Sequence, residues 1–308
     1  MAGKLCEYKG DVMEFKEVEL GDRQEILGYL GQEDFMISDI SFANLYLWRK
    51  ARKIAYAIVS DCLVIQTTYP GENPYYFFPI GAGDKLSSIE ALRHHSSHQN
   101  QILEFHSLEK HALEFFEKHF SGQFRSTLNR DRSDYVYHIP ELIALTGRKY
   151  HKKKNHLNRF LQTYPGFVYE PITVQNATEV LEAAQKWFED EEDPSIGLQN
   201  EHRGICDALS HWEGLGIEGG LVRVDGEIIA FSFGERISQR AAVIHIEKAN
   251  PDYTGAYQII NQQFLANAFC ELSYANREED LGIEGLRKAK MSYNPAFLVD
   301  KYEILFER

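Results

Sequence analysis

Two charged stretches of this 308-residue chain hold the residue types that could do chemistry. The first runs from Asn276 to Pro295, where Glu278, Glu279, Asp280 and Glu284 precede Arg287, Lys288 and Lys290, with Gly282 and Gly285 among them and Tyr293 close behind. Inside a helix each glycine costs about 1 kcal/mol against alanine. Two of them three residues apart therefore suggest that something approaches the backbone closely, or that a helix N-terminus is left open for an anion. A structural network of Arg277, Arg287 and the neighbouring carboxylates would explain the same residues without a ligand. The second stretch is basic. No acid occurs from Ile143 through Tyr169, and that gap holds Arg148, Lys149, Lys152, Lys153, Lys154 and Arg159. On a helix Lys149, Lys152 and Lys153 fall at i, i+3 and i+4, with Arg148 beside them, forming one positive patch suited to the phosphates of a nucleotide, a coenzyme or an RNA backbone. Tyr150 and Phe160 are the aromatic residues interleaved with it, too few for sequence-specific reading of single strands.

The rest of the composition narrows the classes. A formal net charge of −13 disfavours indiscriminate binding of nucleic acid or anionic lipid over the whole surface, which makes the basic island stand out. A hydrophobic content of 44% with 26% charged residues is that of a packed globular protein. No apolar run approaches the ~20 residues of a bilayer span, and Met1 to Tyr8 lacks the apolar core of a secretory signal, so a cytoplasmic protein is expected. Cys6, Cys62, Cys206 and Cys270 are far apart with no Cys-x-x-Cys pair, which predicts reduced thiols in or near cores. His94, His95 and His98 do not share a helix face with further ligands, so no metal site is expected.

The elements that must position these residues follow from periodicity and turn chemistry. The first half reads as a strand from Met13 to Val18, a helix from Asp22 to Leu30, and a hairpin of Lys53 to Ser60 and Cys62 to Tyr69. A strand over Pro74 to Ile80, a helix over Lys85 to His95, a strand over Gln101 to Ser107, a helix over Leu108 to Phe120 and one long strand from Phe124 to Ile139 complete it. Pro140 to Tyr164 reads as a basic helix joining two domains, residues 1–139 and 166–308. The second half repeats the order: Phe167 to Pro171, helices over Asn176 to Phe188 and Glu201 to Trp212, and strands Ile217 to Val224, Glu227 to Arg236 and Gln239 to Glu247. The Asp225-Gly226 turn between the first two of these three is a strong hairpin signal. A helix from Gly255 to Cys270, a strand from Glu271 to Asn276, a helix from Leu281 to Met291 and a closing strand from Ala296 to Phe306 follow. The fold class expected is α+β, with two domains that each carry a mixed, mainly antiparallel sheet flanked by helices.

This element order resembles the acyltransferase fold of the Gcn5-related N-acetyltransferases (GNAT), here in tandem. Two-domain transferases that use aminoacyl-tRNA come closest in layout. The phrases Gly147-Arg-Lys-Tyr-His-Lys-Lys-Lys-Asn155 and Asn276-Arg-Glu-Glu-Asp-Leu-Gly-Ile-Glu-Gly-Leu-Arg-Lys-Ala-Lys290 are similar to the bacterial family of unknown function related to the C-terminal domain of phosphatidylglycerol lysyltransferases. The resemblance implies acyl transfer from a phosphate-bearing donor, either an acyl-coenzyme A or an aminoacyl-tRNA. The lipid-modifying relatives carry a multispanning domain that is not present in this sequence, so a soluble acceptor is expected.

Acyl transfer to an amine needs a cradle for donor phosphates, donors for the oxyanion, a base and a leaving-group acid. In the resembled fold the cradle lies where a strand runs into a long helix, which here is His245 to Gln258, with Gly255 and Ala256 as its small residues. Asp252 stands where coenzyme A users carry a basic or amide residue. Glu247, at the strand end, is the candidate base, and Tyr253, Tyr257 and Tyr293 are candidate leaving-group acids. Lys290-Met-Ser-Tyr293 resembles the Lys-x-x-Tyr pair lining the lysyltransferase site. Arg148, Lys149, Lys152, Lys153 and Arg287 are assigned to the donor, and Asn276 and Asp280 to the acceptor. A non-catalytic module holding RNA, a nucleotide or an acidic peptide is the other function that these residues allow.

Overall fold

The structure, a computed structural model, describes residues 13–307. Cys6 and the Met1 to Tyr8 stretch lie outside the described residues. In chain order the strands are β1 (Lys16–Glu17), β2 (Lys53–Val59), β3 (Cys62–Thr68), β4 (Tyr75–Tyr76), β5 (Glu104–Leu108), β6 (Phe124–Leu128) and β7 (Asp134–His138). They continue with β8 (Val168–Pro171), β9 (Glu218–Val224), β10 (Glu227–Arg236), β11 (Ala241–Ala249), β12 (Tyr274–Asn276), β13 (Phe297–Val299) and β14 (Tyr302–Phe306). The helices are α1 (Arg23–Leu30), α2 (Phe42–Trp48), α3 (Lys85–His98), α4 (Lys110–His119), α5 (Ile139–Ala144) and α6 (His151–Thr163). After them come α7 (Ala177–Glu189), α8 (Ile196–Ser210), α9 (Trp212–Leu215), α10 (Ala256–Ala268) and α11 (Glu284–Met291).

Seven strands form each of two sheets, in the orders β1-β2-β3-β4-β5-β14-β6 and β8-β9-β10-β11-β12-β7-β13. In both, every neighbouring pair is antiparallel except the fourth and fifth strands, β4 with β5 and β11 with β12. The sixth place in each sheet is taken by a strand from the other half of the sequence. One compact unit accordingly runs up to Phe35, through Asp39–Arg132, and resumes at Asp300; the other comprises Met36–Ser38 and Ser133–Val299.

This exchange corrects two expected strands. Phe124 to Ile139 is not one strand, because the charged turn Arg130–Arg132 separates β6 from β7. The new strand is anchored by Asp134, fully buried, which accepts from the Ser38 backbone N–H at 2.7 Å, the Ser38 hydroxyl at 3.0 Å and Asn276 Nδ2 at 2.9 Å. Likewise the closing strand from Ala296 is two strands in different sheets, β13 and β14. Over Pro74 to Ile80 only Tyr75 and Tyr76 are in strand, with Ile80 bridging to Leu63. The aromatic stretch Phe42–Trp48 is a helix, started by Ser41, whose hydroxyl accepts from the Asn44 N–H. Both predicted two-residue hairpins are present, with Ser60, Asp61, Asp225 and Gly226 all at positive φ as that turn requires.

In the second unit the basic segment is not one helix. It breaks after α5 at Leu145, φ +46, and resumes through a 3-10 turn, Arg148–Tyr150, into α6. Leu157 and Phe160 of α6 are buried in the same apolar cluster as Tyr135, Tyr137, Ile259 and Phe264, each such side chain contributing about 2 kcal/mol. The first unit has its own core around Phe105, Phe116, Phe120 and Phe306. Cys62 is buried and Cys206 half-buried, whereas Cys270, at the end of the α10 segment, is exposed rather than in a core.

Candidate functional site

The chemistry-bearing side chains of the second unit gather where β11 and β12, the parallel pair, meet α10, α6 and α11. A bulge in β11 sets the local geometry. Gly234 pairs with Ile244 and Phe233 with Ile246, so His245 is the extra residue. The strand interior tolerates this because Gly234 lacks a side chain: a Cβ there would lie 2.1 Å from the Val243 carbonyl oxygen. The bulge turns the His245 ring inward, where Nδ1 donates to Glu278 at 2.9 Å and Nε2 to Glu235 at 3.1 Å. Burial alone would lower the imidazole pKa, but the hydrogen bonds and charges of the two glutamates outweigh it and hold it at about 9, so the ring is a cation at neutral pH. Glu278, for its part, is pushed up by burial, partly countered by His245, and sits at φ +58, a strained position for a residue with a side chain.

Two residues beyond the bulge, the Glu247 side chain is 11% exposed. Its carboxylate accepts from Asn261 Nδ2 of α10 at 2.8 Å and from Arg277 Nη2 at 2.8 Å. Arg277 follows β12 directly and lies beside two phenol rings that meet edge-to-face, its guanidinium carbon 4.7 Å from the Tyr293 ring centre and 5.6 Å from that of Tyr137. Its Nη1 is enclosed and has no acceptor among the described residues. Tyr293, 6% exposed, accepts from Gln258 of α10 at 3.2 Å, and burial raises its pKa, so the hydroxyl keeps its proton. Lys153 of α6 places its ammonium 4.0 Å from the centre of the same ring, and burial, with the Arg277 charge, lowers its pKa. Glu247, Tyr293 and Lys153 are thus brought together, around an arginine that sequence reasoning had treated as structural.

The other predicted residues divide. Lys290 is buried nearby, but its ammonium bonds the carbonyls of Arg277 and Glu278, so it fixes the backbone carrying those side chains rather than facing open space. Burial and then the charge of Arg277 lower its pKa. Asp280 and Arg287 form a two-point pair, Nε to Oδ2 at 2.8 Å and Nη2 to Oδ1 at 2.8 Å, with the Tyr135 hydroxyl also donating to Asp280. The Arg287 bond is the main reason the Asp280 carboxyl is held far below the usual range. Asn276, fully buried, bonds Asp134 and the Met36 carbonyl. Asp280 and Arg287 tie the segment before α11 to the helix, and the polar groups of all three residues are engaged by the protein itself. The helix begins at Glu284 because Leu281 and Gly282 both have positive φ; beside Gly285 there is open space.

At the strand-to-helix junction, Gly255 caps α10 at φ +93, and a Cβ there would lie 2.5 Å from the His156 carbonyl oxygen of α6. The close approach that glycine permits is therefore to α6, a packing role, and Ala256 is buried in the same core. Tyr253 donates to Glu227 at 3.3 Å and packs on Tyr164, while Tyr257 is 43% exposed. Lys149 pairs with Glu141 at 2.6 Å. Arg148 and Lys152 are exposed and have no hydrogen-bond or ion-pair partner among the described residues. Lys152, Lys153 and Lys154 occupy the first turn of α6, where the helix dipole makes positive charge unfavourable by a few tenths of a kcal/mol or more per exposed residue. That arrangement weakens the helix and leaves its N-terminal end strongly attractive to anions.

Missed by sequence reasoning were Tyr137, Glu235, His245, Gln258, Asn261 and the central place of Arg277. The one local signal available was Gly234, a glycine inside a strand pattern, which marks a bulge.

A conserved protein of unknown function from Bacteroides thetaiotaomicron is 35% identical, with a TM-score of 0.89 over 96% of this chain and 100% of that one. L-PGS from Bacillus licheniformis, 13% identical, shares the fold with a TM-score of 0.67 over 95% of this chain and 93% of that one. An uncharacterized protein of Mycoplasmoides gallisepticum is 26% identical over 181 residues, 57% of this chain, and the match spans 56% of that relative's length. The fold is α+β, with two mixed, mainly antiparallel seven-stranded sheets flanked by helices, as expected. Residues 34–304 match the family model described as phosphatidylglycerol lysyltransferase, C-terminal, and the chain belongs to that family.

Proposed function

We propose that the second unit transfers an acyl or aminoacyl group from a phosphate-bearing donor, an aminoacyl-tRNA or an acyl-coenzyme A, to an amine or hydroxyl acceptor. The observation that carries this reading is the enclosed Arg277 Nη1, which has no acceptor among the described residues although the guanidinium lies beside Tyr137, Tyr293 and Glu247. An N–H donor left unmatched in such a place costs stability, and a carbonyl oxygen that gains negative charge would satisfy it. In this reading Glu247 takes the proton of the attacking nitrogen or oxygen; a carboxylate has lone pairs left beyond those given to Asn261 and Arg277. The new bond forms at the carbonyl carbon, Arg277 holds the oxyanion, the bond to the donor's oxygen or sulfur breaks as the leaving atom takes a proton from the Tyr293 hydroxyl, and the proton taken by Glu247 then returns to Tyr293. Lys290 is a positioning residue for the Arg277–Glu278 backbone. Arg148, Lys152 and Lys153, at the start of α6, supply the charge for donor phosphates. Arg287, Asn276 and Asp280 are assigned to support rather than to ligand.

The exposed Arg148 and Lys152 also favour a second reading, a module that binds RNA or a nucleotide without turnover. Purified protein incubated with a panel of labelled aminoacyl-tRNAs and acyl-coenzyme A thioesters, with amines and hydroxyl compounds as acceptors, separates the two. Loss of label from one donor class, abolished by Glu247→Gln, is the result expected. Saturable binding of tRNA or nucleotide with no donor consumed would favour the module and sink the transferase.

A further inference from the structure

The basic run from Lys149 to Lys154 is not uniform. Lys149 pairs with Glu141, Lys154 donates to the Ala144 carbonyl at 3.2 Å, and Lys152 is exposed. Lys153 is half-buried, and its ammonium has no hydrogen-bond or ion-pair partner among the described residues. Around it instead are the face of Tyr293, whose ring centre is 4.0 Å away, and the Arg277 guanidinium, whose carbon is 4.7 Å from the same centre. Glu247, the carboxylate whose charge reaches Lys153, is already held by Asn261 Nδ2 and Arg277 Nη2 at 2.8 Å each. Burial and then the Arg277 charge lower the Lys153 pKa, with Glu247 countering in part. The π face favours the ammonium, but only weakly where water reaches the amine. A lysine partly withdrawn from water beside another cation is made nucleophilic by that placement. Arg277 adds a second requirement of acyl chemistry. Its enclosed Nη1 has no acceptor among the described residues, so a donor for a carbonyl oxygen stands beside the amine.

We infer that Lys153 is an acylation site of this chain, its amine taking a small acyl group from a thioester or an acyl phosphate. The unprotonated Nζ attacks the carbonyl carbon while Arg277 Nη1 donates to the carbonyl oxygen. A C–N bond forms, the C–S or C–O bond to the leaving thiolate or phosphate breaks, and the nitrogen gives up its proton to the Glu247 carboxylate, which passes it to water. The product is an amide, which carries no charge and does not hand the acyl group on, so Lys153 is modified rather than used as a relay. Acylation also removes one of the cations assigned above to donor phosphates. That consequence rests on the transferase reading, whereas the site itself needs no external acceptor.

Incubation of the full chain near neutral pH with the acetyl thioester of N-acetylcysteamine in one arm and acetyl phosphate in the other tests it, the acetylation of each lysine being followed by peptide mass spectrometry. Lys152, exposed and without a hydrogen-bond or ion-pair partner among the described residues, is the internal standard beside it on the same helical turn. With at least one of the two reagents Lys153 should react at least about tenfold faster than Lys152 in the folded chain, and the two should react alike in denaturing urea. A Lys153 that reacts no faster than Lys152 with either reagent overturns the inference, as does a preference that persists in urea. Arg277→Met separates this site from the proposed function. A slower reaction at Lys153 ties the acylation to the Arg277 donor, whereas a Lys153 that stays faster than Lys152 leaves the site in place and counts against Arg277 as the holder of the oxyanion.

Discussion

Replacing His245 by glutamine, and following stability against pH, tests whether the bulge of β11 holds a cation. An unperturbed histidine titrates near 6.5, whereas His245, gripped by Glu235 and Glu278, titrates at about 9. A folded-state value above the unfolded one means that the folded protein binds the extra proton. The stabilisation is therefore fully present below about pH 6.5 and is lost as pH rises through about 9. The span amounts to about 3 kcal/mol. Glu278, raised by burial, adds a loss with rising pH that sets in near the ordinary carboxylate range. Urea unfolding at steps from pH 6 to 9.5 gives the free energy if the slope m stays constant. His245→Gln removes the imidazole together with the hydrogen bond that partly counters the rise of Glu278, so the difference between wild type and variant reports the His245–Glu278 pair. At pH 6 the wild type should be the more stable by about 3 kcal/mol, since glutamine leaves two glutamates facing each other without a cation, and the gap should close towards pH 9.5. A gap constant to within about 0.5 kcal/mol across that range would refute the argument, because it would mean that the folded ring is neutral throughout.

Three further outcomes follow from the same geometry. Asp280→Ala strips the partner from Arg287, which solvent reaches, and from the buried Tyr135 hydroxyl, so it should cost about 1–3 kcal/mol in urea unfolding; in the wild type this pair's contribution should be present above about pH 4 and fade on further acidification, because the Asp280 carboxyl is held low. Gly255→Ala forces a side chain at φ +93 against the His156 carbonyl and should destabilise by about 3 kcal/mol, visible as a lower urea midpoint. Arg148→Glu with Lys152→Glu should weaken tRNA binding and flatten the plot of log K against log salt by about two charges, while thermal stability stays level or rises, since positive charge at the start of α6 opposes the helix dipole.

The β-rich frame was legible because its signals are local. The Ser60-Asp61 and Asp225-Gly226 turns impose their own φ values, and the flanking strands alternate or run apolar. What stayed hidden depends on distant partners. Nothing local in Phe124 to Ile139 tells that β6 and β7 belong to different sheets; that follows from Ser38 and Asn276 converging on Asp134. The site was legible by halves for the same reason. Glu247, Tyr293 and Lys153 were found from the strand end, the C-terminal motif and the basic run, each a sequence-local cue. Arg277 and Arg287 carry the same charge ten residues apart in one motif, and only folding gives the first an enclosed nitrogen without a partner and the second a complete pair with Asp280. His245 is aimed by a bulge set by Gly234 across the sheet, a relation that sequence spacing does not express.

The central claim is that Arg277, beside Tyr137 and Tyr293, holds the oxyanion of an acyl transfer. Its most direct test is the single-turnover rate of acyl transfer from a saturating donor, compared between wild type and Arg277→Met, with donor affinity measured alongside. Loss of an oxyanion donor should lower that rate by roughly 100- to 1,000-fold while donor affinity changes by less than about tenfold. An unchanged rate in a folded Arg277→Met variant would contradict the account.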